Sequence, residues 1–110
     1  MRSAYAAAIA ITMQATVSNA GPEYAVIGVG ATSCGSWVSN LPLRRHSMSW
    51  VLGFLTAMNM HEASLGRPGE LSKGTDADGL ELWITNYCSA NPLADVSEAA
   101  FRLYVTLKNR

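Results

Sequence analysis

Along this chain of 110 residues, the apolar positions from residue 33 onward recur at helical rather than strand spacing. Trp50, Phe54 and Met58 fall at i, i+4 and i+8 with Val51 and Leu55 beside them, which predicts a helix from Ser47 or Ser49 to about residue 61. Gly53 and Ala57 lie four apart on it, a spacing that permits close approach of another helix. A second stripe runs through Leu80, Trp83, Ile84, Tyr87 and Cys88. Its helix is predicted to start at an N-cap on Thr75, with Asp78 at the capping-box position, and to end at Asn91-Pro92, since the residue before proline is pushed out of the α region. A third stripe, Val96, Ala99, Ala100, Leu103 and Leu107, follows Asp95 as N-cap with Glu98 three residues on. Phe101, Tyr104 and Val105 widen that apolar face and predict a self-associating surface, hence a homodimer. Ser33 can cap a short helix over residues 34–40, with Cys34 and Trp37 on one face. Leu41-Pro42-Leu43 is predicted to end it and Arg44-Arg45-His46 to form a polar connector. The pattern predicts an all-α, single-domain bundle of about four helices over residues 33–110, with Trp37, Trp50, Phe54, Leu55, Trp83, Ile84, Tyr87 and Leu103 in its core.

The intervals between the stripes carry different signals. Residues 62–74 hold three glycines, a proline, two serines and mixed charge, which predicts one long loop. Loops of that composition are either connectors or recognition surfaces, and Glu62, Arg67, Glu70 and Lys73, with Phe101 and Tyr104 of the last helix, are the candidate partner-binding residues. Residues 21–32 are glycine-rich and are expected to form a flexible lead-in. Residues 1–20 read as an export signal: Arg2 is the positive start, 4–13 the apolar middle and Ser18-Asn19-Ala20 the small-x-small cleavage site. The expected location is the periplasm, with no membrane anchor once the signal is removed.

Charge and cysteines narrow the picture. Without Arg2 the chain carries seven Lys/Arg against eight Asp/Glu, a formal charge of −1, so the sequence shows no electrostatic footprint for nucleic acid. Two cysteines in an exported chain predict one disulfide, Cys34 to Cys88, two free thiols being the alternative. Catalytic signals are weak. The serines sit in no nucleophile setting, and Asp76 and Asp78 are next-but-one neighbours with a capping role to hand. His46 and His61 stand about 22 Å apart on a continuous helix, too far to share a metal. Met58 and Met60 have no third ligand beside them and suit a core instead. No cofactor and no metal are expected, and binding is favoured over catalysis.

Three segments carry a family resemblance: Ser33-Cys34-Gly35-Ser36-Trp37; then Trp50-Val51-Leu52-Gly53-Phe54-Leu55 with Asn59; then Tyr87-Cys88-x-x-Asn91-Pro92 followed by Ala99-Ala100-x-x-Leu103. Together they resemble the Rap/Tai type of periplasmic immunity protein. The resemblance implies a small, helical, often dimeric protein that blocks the groove of a peptidoglycan-cleaving amidase toxin, so the implied partner is a cell-wall amidase effector. A second resemblance, in export, length, helicity and a single disulfide, is to HdeA-type acid chaperones. It implies a dimer that acid would split by charging the chain positively.

Overall fold

The computed structural model describes residues 23–110. The export signal expected at residues 1–20 lies outside the described residues. Four α-helices follow a 3-10 turn at Val29–Ala31: α1 (Cys34–Ser39), α2 (Leu41–Ser64), α3 (Ala77–Ala90) and α4 (Val96–Lys108). The fold is all-α, as the periodicity predicts, and Cys34 is bonded to Cys88 with their Cα atoms 4.6 Å apart. Among the described residues no helix is long and apolar enough to cross a membrane.

α1 is too short to persist alone, and its exposed amides are satisfied from outside. Ser33 Oγ accepts from Ser36 N at 3.1 Å, Ala94 O accepts from Cys34 N at 2.8 Å and Pro92 O from Gly35 N at 3.0 Å. The return bond, Val96 N to Thr32 O at 2.9 Å, pins the connection between α3 and α4 against the start of α1. The glycine-rich segment expected as a lead-in is built into this arrangement: its 3-10 turn leads into Thr32, and Trp50 Nε1 donates to Ile27 O at 2.7 Å. Gly30 packs flat against the Trp50 indole, where an added Cβ would overlap the ring.

Three boundaries differ from expectation, each for a local reason. The interruption at Pro42 is no interruption. Asn40 ends α1 and caps α2, its Oδ1 accepting from Leu43 N at 3.1 Å, and Pro42 occupies the first turn, where a missing N–H is no loss. Arg44, expected in a connector, is helical and donates from Nε to Trp37 O (3.1 Å) and from Nη2 to Val38 O (2.9 Å), closing carbonyls at the end of α1. Ser47, expected as a cap, is fully buried inside α2. At its other end α2 continues through Glu62, so the loop spans residues 65–76. The stop is set by Gly66 at φ 75°, with Gly66 N donating to Ala63 O and Arg67 N to Glu62 O, both 3.0 Å, a Schellman arrangement that glycine suits. The cap of α3 is Asp76 rather than Thr75, with Oδ1 accepting from Gly79 N at 2.8 Å. Asp95 caps α4 as expected, but the Glu98 carboxylate accepts from Tyr87 Oη at 3.4 Å instead of closing a capping box.

The core gathers Trp37, Val51, Leu55, Ile84, Val96, Leu103 and the disulfide, with Met48, Leu71 and Leu80 at its edges. Trp37 is fully buried yet satisfied, because Nε1 donates to Thr85 Oγ1 at 2.9 Å. Trp50, Phe54, Trp83 and Tyr87, expected inside, are only partly buried and stack in pairs, Trp50 on Phe54 at 5.7 Å and Trp83 on Tyr87 at 5.8 Å. So small a domain cannot enclose that many large rings.

The disulfide closes a span of 54 residues, for which loop entropy alone contributes about 4 kcal/mol. A Cys34→Ser/Cys88→Ser variant should lose about that much in urea unfolding at neutral pH. A midpoint unchanged from the parent would show that the hydrogen-bonded contacts of α1 suffice without the covalent link.

Candidate functional site

The loop at residues 65–76 has no regular structure, yet four side chains hold it. Glu62, on the last turn of α2, is 3% exposed and accepts from both the Arg67 guanidinium and the Tyr104 hydroxyl of α4. Leu71 N donates to Asn59 Oδ1 at 2.9 Å, which draws the loop onto α2 closely enough that a Cβ at Gly69 would lie 2.5 Å from Asn59 O. From the far side, Arg110 Nη2 donates to Leu71 O at 2.9 Å and to Lys73 O at 2.8 Å. Leu71 itself is buried as the loop's anchor in the core.

The electrostatics follow from this packing. The hydrogen bonds from Arg67 and then Tyr104 hold the Glu62 carboxyl down at about 2 against burial, and the Arg67 and Lys108 charges assist. The same carboxylate pushes the Tyr104 hydroxyl up, as does burial, and raises the Arg67 guanidinium. Lys108 Nζ lies 5.4 Å over the Tyr104 ring, in cation–π range. Glu70 and Lys73 form an exposed pair at 3.5 Å, which adds little stability and leaves both on the surface. Between the loop and the end of α4 is a hollow of about 480 Å³, with Arg67, Glu70, Lys73 and Lys108 on its walls and Leu71 and Leu107 beneath.

Of the candidate partner-binding residues, the structure therefore brings Glu62, Arg67, Glu70 and Lys73 together around one hollow, with Tyr104 directly behind Glu62. Glu62 and Tyr104 differ from the other candidates in burial. Both are buried and bonded to each other, so they support the loop from beneath. Phe101 stands apart from that hollow, half-exposed in an apolar groove on another part of the molecule.

That groove, about 710 Å³, runs between the extended residues 24–27, one face of α2 and α4. Trp50, Phe54 and Met58 line it from α2, and Ser97 and Phe101 from α4. Gly53, expected at a helix–helix contact, meets no such neighbour: nothing lies within 4 Å of where its Cβ would be, and its missing side chain deepens the groove. Sequence reasoning missed the groove, together with Asn59 and Arg110 as ties of the loop. Asn59 was the legible signal, a lone amide beside the apolar stripe of α2.

Both histidines are exposed, and among the described residues no three His, Cys, Asp or Glu side chains are grouped as metal ligands would be. No protein-family model matches the chain, and comparison with curated proteins and with solved structures found no significant match.

Because the Glu62 carboxyl sits lower in the folded chain than its ordinary value of 4.5, its contribution to stability is complete above about pH 4.5 and is lost as the pH falls toward about 2. Glu62→Gln should lower the urea midpoint at pH 7, and its deficit against the parent should shrink from pH 4.5 to 2. A deficit independent of pH would show that the carboxylate's charge is not what holds loop and helices together.

Proposed function

We propose that this chain is a non-enzymatic binding protein of the immunity type, exported to the periplasm, which receives a cell-wall amidase effector on the loop at residues 65–76. One observation carries the reading: the loop is tied at Arg67 and Leu71 to α2 and at Leu71 and Lys73 to Arg110, just past α4, while Glu70 and Lys73 remain exposed on it. A connector has no need of such anchoring. A recognition loop gains from it, because order already present in the free protein is not lost again on binding. The paired charges on the rim of the hollow suit a partner surface that carries charges of its own.

The chemistry around the hollow favours binding over turnover. Glu62 is held ionised at neutral pH and both its oxygens are engaged, so it offers neither a proton nor a free base. The disulfide fits an oxidising compartment. Together with the resemblance in residues 33–37, 50–59 and 87–103, these features support the immunity reading. For the acid-chaperone reading the same cluster is unfavourable, since its carboxylate keeps its charge until the pH approaches about 2.

Affinity capture from a periplasmic extract at neutral pH, followed by an assay of the captured hydrolase, tests the proposal. The expected result is a stoichiometric complex in which cell-wall hydrolysis is blocked, and which Glu70→Lys/Lys73→Glu weakens by roughly tenfold or more without moving the unfolding midpoint. Absence of any hydrolase complex, together with client binding that appears only at pH 2–3, would replace immunity by acid chaperoning.

A further inference from the structure

The hollow between the loop and the end of α4 joins an apolar floor to a rim of charge, and the charge does not balance. Leu71 and Leu107 are buried at the floor, and four cationic side chains, Arg67, Lys73, Lys108 and Arg110, line the hollow against the two carboxylates of Glu62 and Glu70. Both carboxylates are already answered. Glu62 accepts from Arg67 and Tyr104, and Glu70 lies 3.5 Å from Lys73. Among the described residues Lys108 and Arg110 have no carboxylate partner. Three of the cations are also held in place. Arg67 is fixed by Nε and Nη2 on Glu62, Arg110 by Nη2 on the carbonyls of Leu71 and Lys73, and Lys108 Nζ lies 5.4 Å over the Tyr104 ring. Nη1 of each arginine has no acceptor among the described residues, so the contacts that fix the two guanidiniums leave donors over.

We infer that this hollow seats a carboxylate of the protein partner together with the apolar side chain beside it. The inference rests on the immunity reading for the source of that carboxylate and on the hollow alone for its chemistry. Two cations without partners, on a rim whose other charges are paired, attract an anion, and guanidinium donors suit the two oxygens of a carboxylate. Because these side chains are ordered in the free protein, little of their freedom is lost on binding. The floor then selects among anions. Leu71 and Leu107 offer contact to an apolar body, which a bare phosphate or a nucleic-acid backbone does not bring. An uncharged apolar ligand would cover Lys108 and Arg110 without compensating them, at a cost in desolvation. The volume, about 480 Å³, is that of a small-ligand pocket and has room for an apolar side chain with its carboxylate.

The test uses the full chain and N-acetylleucine, a small molecule with both parts. So few atoms limit it to a millimolar Kd, which amide chemical shifts measure. The expected result is saturable shifts at Leu71, Lys73 and Lys108 that weaken as salt is raised, with N-acetylleucinamide and acetate each binding at least roughly tenfold less tightly. Lys108→Gln should weaken N-acetylleucine by roughly threefold or more and Lys108→Arg should restore it, both with unfolding midpoints near the parent's. Equal binding of the leucinamide, equal binding of acetate, or no saturable shift would overturn the inference. The captured hydrolase separates it from the immunity reading. Lys108→Gln should weaken that complex too, and Lys108→Arg should restore it. A complex indifferent to Lys108→Gln would overturn the inference and leave immunity standing. With no complex but the N-acetylleucine titration as expected, immunity would fall and with it the partner as source, the hollow remaining a carboxylate site.

Discussion

Six residues of helix do not hold together in water, so α1 exists because its first amides are taken by carbonyls of the connection between α3 and α4 and its first residue is bonded to α3. That clamp at Cys34, Ala94, Pro92 and Cys88 brings the start of α1 to the junction of α3 and α4, and the remaining packing is arranged around it. Trp37 fills the space beneath, hydrogen-bonded to Thr85 of α3, while Arg44 of α2 closes carbonyls at the other end of α1. With α1 and α3 fixed, α2 and α4 pack on the same core, and their ends are left free to carry surfaces.

Those surfaces divide by chemistry. Where α2 and α4 finish, the buried Glu62–Tyr104 bond joins two helices across 42 residues of sequence, and Arg67 brings the loop to the same carboxylate. Removing Glu62 leaves the buried Tyr104 hydroxyl without its acceptor, and removing Arg67 leaves Glu62 Oε2 without its donor. Elsewhere on the molecule one face of α2 around Gly53, part of α4 and residues 24–27 wall an apolar groove. One face carries charged side chains and is held by hydrogen bonds, and the other is lined by no charged side chain.

Much of the architecture was legible in the sequence because helical burial writes itself at a period near 3.6: the stripes through Val51, Leu55, Ile84, Cys88, Ala100 and Leu103 are buried as their spacing predicts. Local signals failed where one residue type has two meanings. Pro42 reads as a breaker but sits in a first turn where its lost amide does not matter, and Glu62 reads as loop because the true stop, Gly66, is marked only by its left-handed backbone. The candidate loop was legible as composition, but not its anchoring, since the Glu62–Tyr104 and Arg110–Leu71 bonds join residues 42 and 39 positions apart. The groove was invisible for a related reason. Gly53 gives the same letter whether it admits a neighbouring helix or leaves a space.

Hydrogen exchange read at single amides in the free, full chain at neutral pH measures directly whether the loop is ordered before any partner arrives. Leu71 N–H, donated to Asn59 Oδ1, should exchange far more slowly than an unstructured amide and in step with the amides of α2 and α4, and Glu62→Gln should release it. Exchange of Leu71 and Lys73 at the rate of a free chain in the parent protein would contradict the account, since the loop would then be a connector that orders only on contact.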